Sequence, residues 1–157
     1  MKKLEIEKRI LLKGTPKITY DEALFIQQYY TPTGRYRQVT SSNLEIKYIH
    51  TIKKSVSKGV NEETEIEISH VDFSKAIKKA TKHLSKTRYI KKAGKYKWEI
   101  DKFDHCNIVI AEIEVNSKKE LKTVKLPKYI KENFIIDVTG IKEFSNFNLA
   151  EKWKKKK

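Results

Sequence analysis

Alternation of apolar and polar residues recurs along the chain and predicts β-strands. Residues 4–12 alternate from Leu4 through Ile6 to Ile10, with charged residues between them. A period of two is the signature of a strand with one apolar face. The same pattern, or a run rich in β-branched and aromatic residues, predicts further strands over residues 26–30, 35–39, 44–53, 63–68, 86–91, 97–103, 108–115 and 134–138. Turn-forming residues separate several of them, as at Thr31–Gly34, Lys58-Gly59 and Ala93-Gly94.

Three segments depart from this pattern and predict helices. An apolar residue recurs at helical spacing between residues 72 and 84, with Asp72 as the N-cap, and this face consists of Phe73, Ala76, Ile77, Ala80 and Leu84. A short helix over residues 117–123 ends before Pro127, and a terminal helix is predicted over Glu143–Lys154. Together the elements predict an α+β fold dominated by antiparallel sheet. No linker or repeat divides the sequence, so a single domain over residues 1–157 is expected.

Charged residues of one sign share a face on most of the predicted strands. Side chains two positions apart in a strand point the same way, so Glu5, Glu7 and Arg9 lie opposite Leu4 and Ile6. Other sets that share a face are Arg35 and Arg37, Glu63, Glu65 and Glu67, Lys86 and Arg88, Glu99 and Asp101, and Glu112 and Glu114. Like charges on one strand repel each other unless a neighbour or ligand offsets them.

Two interpretations fit these charged faces. In an ordinary sandwich they would face water. If the predicted helices instead cover the apolar faces of a closed barrel, which has no exposed edges, the charges point inward. Buried charge is costly without a partner. Carboxylates can be offset by Mg²⁺ or Mn²⁺, and Arg and Lys by phosphate oxygens, so an inward face of both kinds suits a metal–polyphosphate complex.

The segment Glu5–Lys13 resembles the N-terminal Glu-x-Glu-x-Lys signature of the CYTH family, also called triphosphate tunnel metalloenzymes. The resemblance extends over nearly the whole chain, in the family's order, through Arg35–Arg37, Thr51–Lys53, Glu63–Glu67, Lys86–Tyr89, Trp98–Phe103 and Ala111–Glu114. The segments Asp137–Gly140 and Phe144–Ala150 are similar to those of small bacterial members. The resemblance implies an eight-stranded antiparallel barrel that encloses a charged tunnel, with a few helices outside it and at the C-terminus.

The resemblance also implies roles for individual residues. Glu5, Glu7 and Arg9 are the expected catalytic residues. The expected metal ligands, with Mg²⁺ or Mn²⁺ as the cofactor, are Glu5, Glu7, Glu63, Glu65, Glu67, Asp101, Glu112 and Glu114. The expected triphosphate-binding residues are Arg9, Arg35, Arg37, Lys53, Lys86 and Arg88. The signature lysine is Arg9 here, and the planar guanidinium is not equivalent to an ammonium. The glutamates of 63–67 align with the family in two registers.

The expected function is metal-dependent hydrolysis of a triphosphate, with inorganic tripolyphosphate as the first substrate. An adenylate cyclase of the class IV type and a binding module that holds polyphosphate or nucleotide without turnover are the alternatives. The net charge of +15 favours an anionic partner and keeps a general nucleic-acid binder open. The paired glutamates argue against the latter, because without metal they would repel a phosphate backbone, so nucleic acid is not the expected partner.

The cysteine content and the apolar stretches of the sequence bear on where the protein is located in the cell. The one cysteine, Cys106, excludes an internal disulfide. No apolar stretch is long enough to span a bilayer, and Met1–Lys3 leads straight into a charged strand without a signal-peptide core. A cytoplasmic location, no membrane partner and a monomer or homodimer are therefore expected.

Overall fold

The computed structural model describes residues 2–152. It contains ten strands: β1 Lys2–Leu12, β2 Glu22–Thr31, β3 Gly34–Ser41, β4 Ile46–Ser57, β5 Val60–Ile68, β6 Lys82–Ala93, β7 Tyr96–Phe103, β8 Val109–Val115, β9 Phe134–Asp137 and β10 Glu151–Lys152. The helices are α1 His70–Ala76, α2 Lys118–Thr123, α3 Lys128–Asn133 and α4 Asn146–Leu149, with 3₁₀ turns at Ile77–Lys79 and Lys142–Phe144.

Eight of the strands close into an antiparallel barrel. Their order around it is β6-β2-β3-β4-β5-β1-β8-β7, and β7 pairs with β6 to complete the ring. The short strands β9 and β10 add to β1 and β6. Closure satisfies the hydrogen-bonding groups that an open sheet would leave at its two edges. The predicted fold, a barrel with a few helices outside it, is confirmed.

The main apolar core lies outside the barrel wall, not within it. Ile10, Ile100 and Ile113 are fully buried and belong to one cluster with Ile130 of α3. Partly buried side chains from residues 121–129 pack against this cluster. These apolar residues alternate along β1, β7 and β8 with charged residues, which therefore face inward. The second interpretation of the charged faces is the correct one here.

A second apolar cluster fills the barrel interior near one end. Leu84 and Phe103 face inward there, and Ile110 lies beside them on β8. Ala150 joins the cluster from the segment that follows β9, and Phe144 and Leu149 of the same segment pack against it. The C-terminal part of the described chain therefore closes over this end of the barrel.

The predicted helix over residues 72–84 is wrong in its bounds and its cap. The α-helix runs from His70 to Ala76, and its N-cap is Ser69, whose hydroxyl accepts a hydrogen bond from the backbone N–H of Asp72. Leu84 lies on β6 instead, because the backbone from Lys82 onward pairs with β2. Sheet hydrogen bonds thus override a helical period in the last turn of the predicted helix.

The C-terminal helix predicted over Glu143–Lys154 is also wrong within the described residues, and its last two positions lie outside them. The 3₁₀ turn, the four-residue α4 and β10 occupy Lys142–Lys152 instead. Ser145 breaks the helix by capping α4, with its hydroxyl accepting from the backbone N–H of Asn148. The prediction also missed α3 and β10, and it placed Leu44 in a strand, although Leu44 lies in a turn with a φ of 66°.

Candidate active site

The inward charged faces surround a cavity of about 1520 Å³. It is lined by β1, β3, β4 and β5, by single residues of β6 and β7, and by Glu112 and Glu114 of β8. The turn at Thr31–Gly34, the turn at Lys58-Gly59 and the segment Gly140–Phe147 also line it. The barrel thus brings most of the predicted site residues, drawn from six strands, around one space.

Carboxylates line the wall formed by β5, β1 and β8. Cross-strand register places Glu7 opposite Glu114, and Arg9 opposite Glu112. Glu5, Glu63 and Glu65 line the same cavity. Glu67 lies on β5 beyond this group, is exposed and does not line the cavity. The sequence-predicted acidic set therefore converges except for Glu67 and for Asp101.

Basic side chains face these carboxylates from β3, β4 and β6. Lys53 Nζ lies 2.8 Å from Glu5 Oε1, and Arg37 Nη2 lies 3.5 Å from Glu65 Oε2. Arg88 pairs with Glu99 at 3.0 Å. Lys53, Arg37 and Arg88 are thus held in place by carboxylates, whereas Arg35 lines the cavity outside these ion pairs.

Two arginines retain hydrogen-bonding capacity inside the cavity. The Nε atoms of Arg35 and Arg37 are buried and have no hydrogen-bond partner. Burial, together with the charges of Arg35 and Arg88, lowers the pKa of Arg37 to about 9. Guanidinium groups in this condition gain from an anion that accepts their free N–H donors. The β3 arginines are therefore suited to phosphate oxygens.

Two carboxylates, by contrast, have too little positive charge near them to offset their burial and their acidic neighbours. Burial and the neighbouring charges of Glu112 and Glu5 raise the pKa of Glu7 well above its ordinary value, although Lys53 and Arg9 oppose the shift. Burial and a hydrogen bond shared with Glu5 raise the pKa of Glu63 to about 8. A cation placed among these groups would relieve their repulsion.

A divalent cation fits the chemistry of this donor set. Mg²⁺ and Mn²⁺ prefer oxygen ligands, and the crowded carboxylates of Glu5, Glu7 and Glu112 supply them. Within residues 2–152 no three acidic, His or Cys side chains converge on one point closely enough to hold a metal ion. Glutamate side chains would therefore rotate to complete the coordination.

Lys86 and Asp101 lie within the wall and do not line the cavity. Both side chains are fully buried, with Lys86 Nζ 2.8 Å from Asp101 Oδ2. Arg88 donates to both oxygens of the same carboxylate, from Nε at 2.8 Å and from Nη2 at 2.9 Å. In this arrangement Asp101 positions the arginine that faces the cavity. A phosphate contact by Lys86 and a metal contact by Asp101 stay predictions.

Arg9 connects the acidic wall to the C-terminal segment. Its Nε donates to Glu112 at 3.2 Å, and its Nη1 donates to the main-chain oxygen of Phe144 at 2.6 Å. Nη2 lies 3.5 Å from the side-chain oxygen of Asn146. The arginine at the signature-lysine position thus donates its hydrogen bonds to other groups of the protein in this structure.

Sequence reasoning missed several residues that line the cavity. Glu99 and Lys3 share the parity of the predicted site residues, so the alternation alone could have included them. Ser145, Asn146 and Phe147 could not be found in this way, because their segment has no strand period and only the folded chain brings it to the cavity.

Solved structures with the same architecture support this description. The inorganic triphosphatase NE1496 has a TM-score of 0.60 and 25% sequence identity, with 93% of each chain covered. PH1819 from Pyrococcus horikoshii OT3 has a TM-score of 0.59 at 17% identity, covering 76% of this chain and 82% of its own. A Bacillus halodurans protein described as a candidate adenylate cyclase has a TM-score of 0.52 at 13% identity, covering 83% and 97%. No protein-family model and no curated protein matches the chain.

The protein therefore belongs to the class of closed, eight-stranded antiparallel barrels that enclose a charged cavity. The resemblance to the CYTH family, suggested by the sequence, is confirmed by this fold and by its structural neighbours. Among residues 2–152 no helix is both long enough and apolar enough to cross a membrane.

Proposed function

We propose that the protein is a divalent-metal-dependent triphosphatase whose first substrate is inorganic tripolyphosphate. The observation that carries the proposal is the cavity, in which a carboxylate wall faces buried arginines with free donors. A metal–triphosphate complex complements both walls at once. The similarity to NE1496, an inorganic triphosphatase, supports the same reaction class.

Each wall has a separate task in this proposal. Glu5, Glu7, Glu112 and Glu114 would hold Mg²⁺ or Mn²⁺, with Glu63 and Glu65 near enough to assist. The bound ion would neutralise phosphate oxygens and lower the pKa of a coordinated water.

The arginines act on the phosphate chain. Arg35 and Arg37 bind its oxygens through their free donors, and Lys53 adds positive charge from β4. Arg88, held by Asp101, stabilises negative charge on the transferred phosphoryl group. Because Asp101 already holds Arg88 in position, this arginine needs no reorientation during the reaction.

The test is phosphate release from tripolyphosphate with Mg²⁺ or Mn²⁺. We expect release to require the metal and to be lost in Glu7→Gln. The matched control is Glu62→Gln, because Glu62 pairs with Leu4 and Lys54 on the outer face of β5 and does not line the cavity. Full activity of Glu7→Gln would refute the proposal. Metal-dependent binding without release would leave the non-catalytic module.

A nucleoside triphosphate is the second candidate substrate, since an aromatic ring reaches the cavity. Phe147 is half exposed there and contacts Tyr30 edge to face, with ring centroids 5.3 Å apart. A base could pack on such a ring. Loss of ATP turnover in Phe147→Ala, with tripolyphosphate turnover retained, would favour the nucleotide, and cyclic AMP among the products would identify a cyclase.

A further inference from the structure

The cavity does not account for the positive charge of the protein. Residues 2–152 contain 31 basic and 20 acidic residues, a net charge of +11. Eight of these basic residues and seven of the acidic ones line the cavity. The cavity is therefore close to neutral, and a net charge of +10 within the described chain lies elsewhere.

A concentrated part of this excess lies where the β6–β7 hairpin meets α2. The hairpin tip carries Lys92, Lys95 and Lys97, and register places Lys92 directly opposite Lys97. Like charges in directly opposed positions destabilise a hairpin unless an anion offsets them. The hairpin therefore maintains a concentration of positive charge that its own folding does not favour.

One hydrogen bond joins the hairpin to α2. Tyr96 OH donates to Glu120 Oε2 at 2.7 Å, and the same oxygen accepts from the backbone N–H of Asn116 at 3.2 Å. This contact fixes the hairpin, whose tip carries three lysines, to α2, which carries three further exposed lysines. We call the combined surface the basic rim, defined as Lys92, Lys95, Lys97, Lys118, Lys119 and Lys122.

The lysines of the basic rim have no acidic partners within residues 2–152. None of the ion pairs there includes a rim lysine. Glu120, the acidic residue of α2, is already bonded to Tyr96 and Asn116. Lys95 Nζ lies over the Tyr96 ring, 5.0 Å from its centroid. The rim thus presents several ammonium groups to an external anion.

We propose that the basic rim binds the phosphate backbone of a nucleic acid without sequence preference. Apart from the exposed Glu67 of β5, the paired glutamates that argued against such a partner line the interior of the barrel, so they do not oppose a polyanion on the outside. Lysines that neutralise backbone phosphates release the counterions condensed on the nucleic acid, which favours binding. Lysine ammonium groups act as point charges and read no base edges.

The surface chemistry favours a polynucleotide over a lipid membrane. No large apolar side chain is exposed between Val71 and Phe134, the part of the chain that contains the whole rim. A membrane-binding surface combines basic residues with apolar side chains that enter the bilayer boundary. The exposed apolar residues Leu4, Ile52 and Ile66 belong to the outer face of β1, β4 and β5 instead.

The experiment measures binding of the full chain to a fluorescent mixed-sequence duplex DNA, and to an RNA strand, over a range of salt. The rim variant is Lys92→Gln/Lys95→Gln/Lys97→Gln. The control variant is Lys75→Gln/Lys78→Gln/Lys79→Gln, which removes the same charge from exposed lysines of α1 and the turn after it. Melting temperatures establish that both variants are folded.

We expect the rim variant to reduce the slope of log K against log salt by about three, one unit for each phosphate-contacting lysine removed. The control should change the slope by less than about one unit, since its lysines make no such contact. Equal losses in the two variants would overturn the proposal, because they would show only the effect of net charge. Absence of duplex and RNA binding by the wild type would overturn it as well. So would rim-dependent binding of phosphatidylserine vesicles that exceeds binding of either polynucleotide.

Discussion

Arg9 and Phe144 are joined by a hydrogen bond of 2.6 Å between the guanidinium and a main-chain oxygen 135 positions further along the chain. This bond fixes the segment that closes one end of the barrel to the strand that carries Glu5 and Glu7. A lysine at the same position would have one nitrogen to share between Glu112 and the segment. The residue at position 9 therefore both offsets negative charge in the acidic wall and attaches the C-terminal segment to β1.

The first prediction concerns this bond. Arg9→Lys keeps the positive charge but loses the fork that reaches Glu112 and Phe144 together. We expect the variant to lose about 1 to 3 kcal/mol of stability, as for a hydrogen bond to a charged group. Amides of residues 144–150 should exchange faster with solvent, measured by hydrogen exchange. Unchanged exchange there would show that apolar packing alone holds the segment.

The second prediction concerns the ion network within the wall. Asp101→Asn leaves the fully buried Lys86 ammonium without its carboxylate, which should cost about 3 to 5 kcal/mol. Denaturant unfolding measures the loss. Asp104→Asn is the control, because Asp104 is exposed in the β7–β8 loop. Equal stability of the two variants would mean that Lys86 finds another partner or loses its proton.

The same network predicts a dependence of stability on acid. Burial opposes ionisation of Asp101, but Arg88 and Lys86 outweigh it and lower the pKa of this carboxyl. A depressed folded pKa stabilises the protein above the unfolded value, about 3.9, and the contribution is lost as pH falls through the folded value. Wild type should therefore lose stability relative to Asp101→Asn as the pH is lowered below about 4, measured by unfolding at a series of pH values.

Alternation along the strands predicted which charged residues share a face, and the resemblance to the CYTH family favoured the barrel in which that face lines a cavity. Glu5, Glu7, Arg35 and Arg37 share a parity with their neighbours, and strand geometry converts that parity into a common inward face. The same rule could not separate Asp101 from the cavity-lining glutamates, because depth within the wall depends on which cross-strand neighbours occupy the space. For Asp101 these neighbours are Lys86 and Arg88.

The helix predicted in the C-terminal segment was wrong for a different reason. Its course depends on long-range contacts, such as those of Phe144 with Arg9 and of Leu149 with His105. Local propensity favoured a continuous helix, but Ser145 begins a new cap and tertiary hydrogen bonds take the carbonyl groups that such a helix would use. These long-range partners cannot be predicted from the spacing of residues within the segment.

The third prediction concerns Glu7 and the metal. Its raised pKa means that the ionised form is unfavourable in the metal-free barrel, and this cost grows as pH rises above the unfolded value of about 4.3. Glu7→Gln should therefore raise the melting temperature at neutral pH in the presence of EDTA. Mn²⁺ should then stabilise the wild type and leave the variant nearly unchanged. Equal stabilisation of both proteins by Mn²⁺ would exclude Glu7 as a ligand.

The fourth prediction concerns protons released on metal binding. Glu63 has a pKa of about 8, so it holds a proton over most of the interval between 4.5 and 8. A cation that takes the carboxylate displaces this proton, and its affinity should rise with pH across that interval. Calorimetry in buffers of different ionisation enthalpy measures the released proton. Glu63→Gln should reduce that release but not abolish it, because the pKa of Glu7 is raised as well. A wild-type affinity independent of pH would contradict the assignment.

The last prediction connects a turn to the site. Gly59 has a φ of +75°, and the backbone N–H of Glu7 donates to its carbonyl oxygen at 2.8 Å. A Cβ at position 59 would lie 2.8 Å from Thr139 Cγ2 and 3.2 Å from the carbonyl oxygen of Glu7. Gly59→Ala should therefore cost more than the strain of about 1 to 2 kcal/mol expected for a left-handed alanine. Gly94→Ala supplies the matched control, since Gly94 has a φ of +60° and open space around it. Unfolding measurements give the difference between the two variants, and only Gly59→Ala should also weaken Mn²⁺ binding by displacing Glu7. Equal losses in stability and unchanged Mn²⁺ binding would show that the turn bears no relation to the position of Glu7.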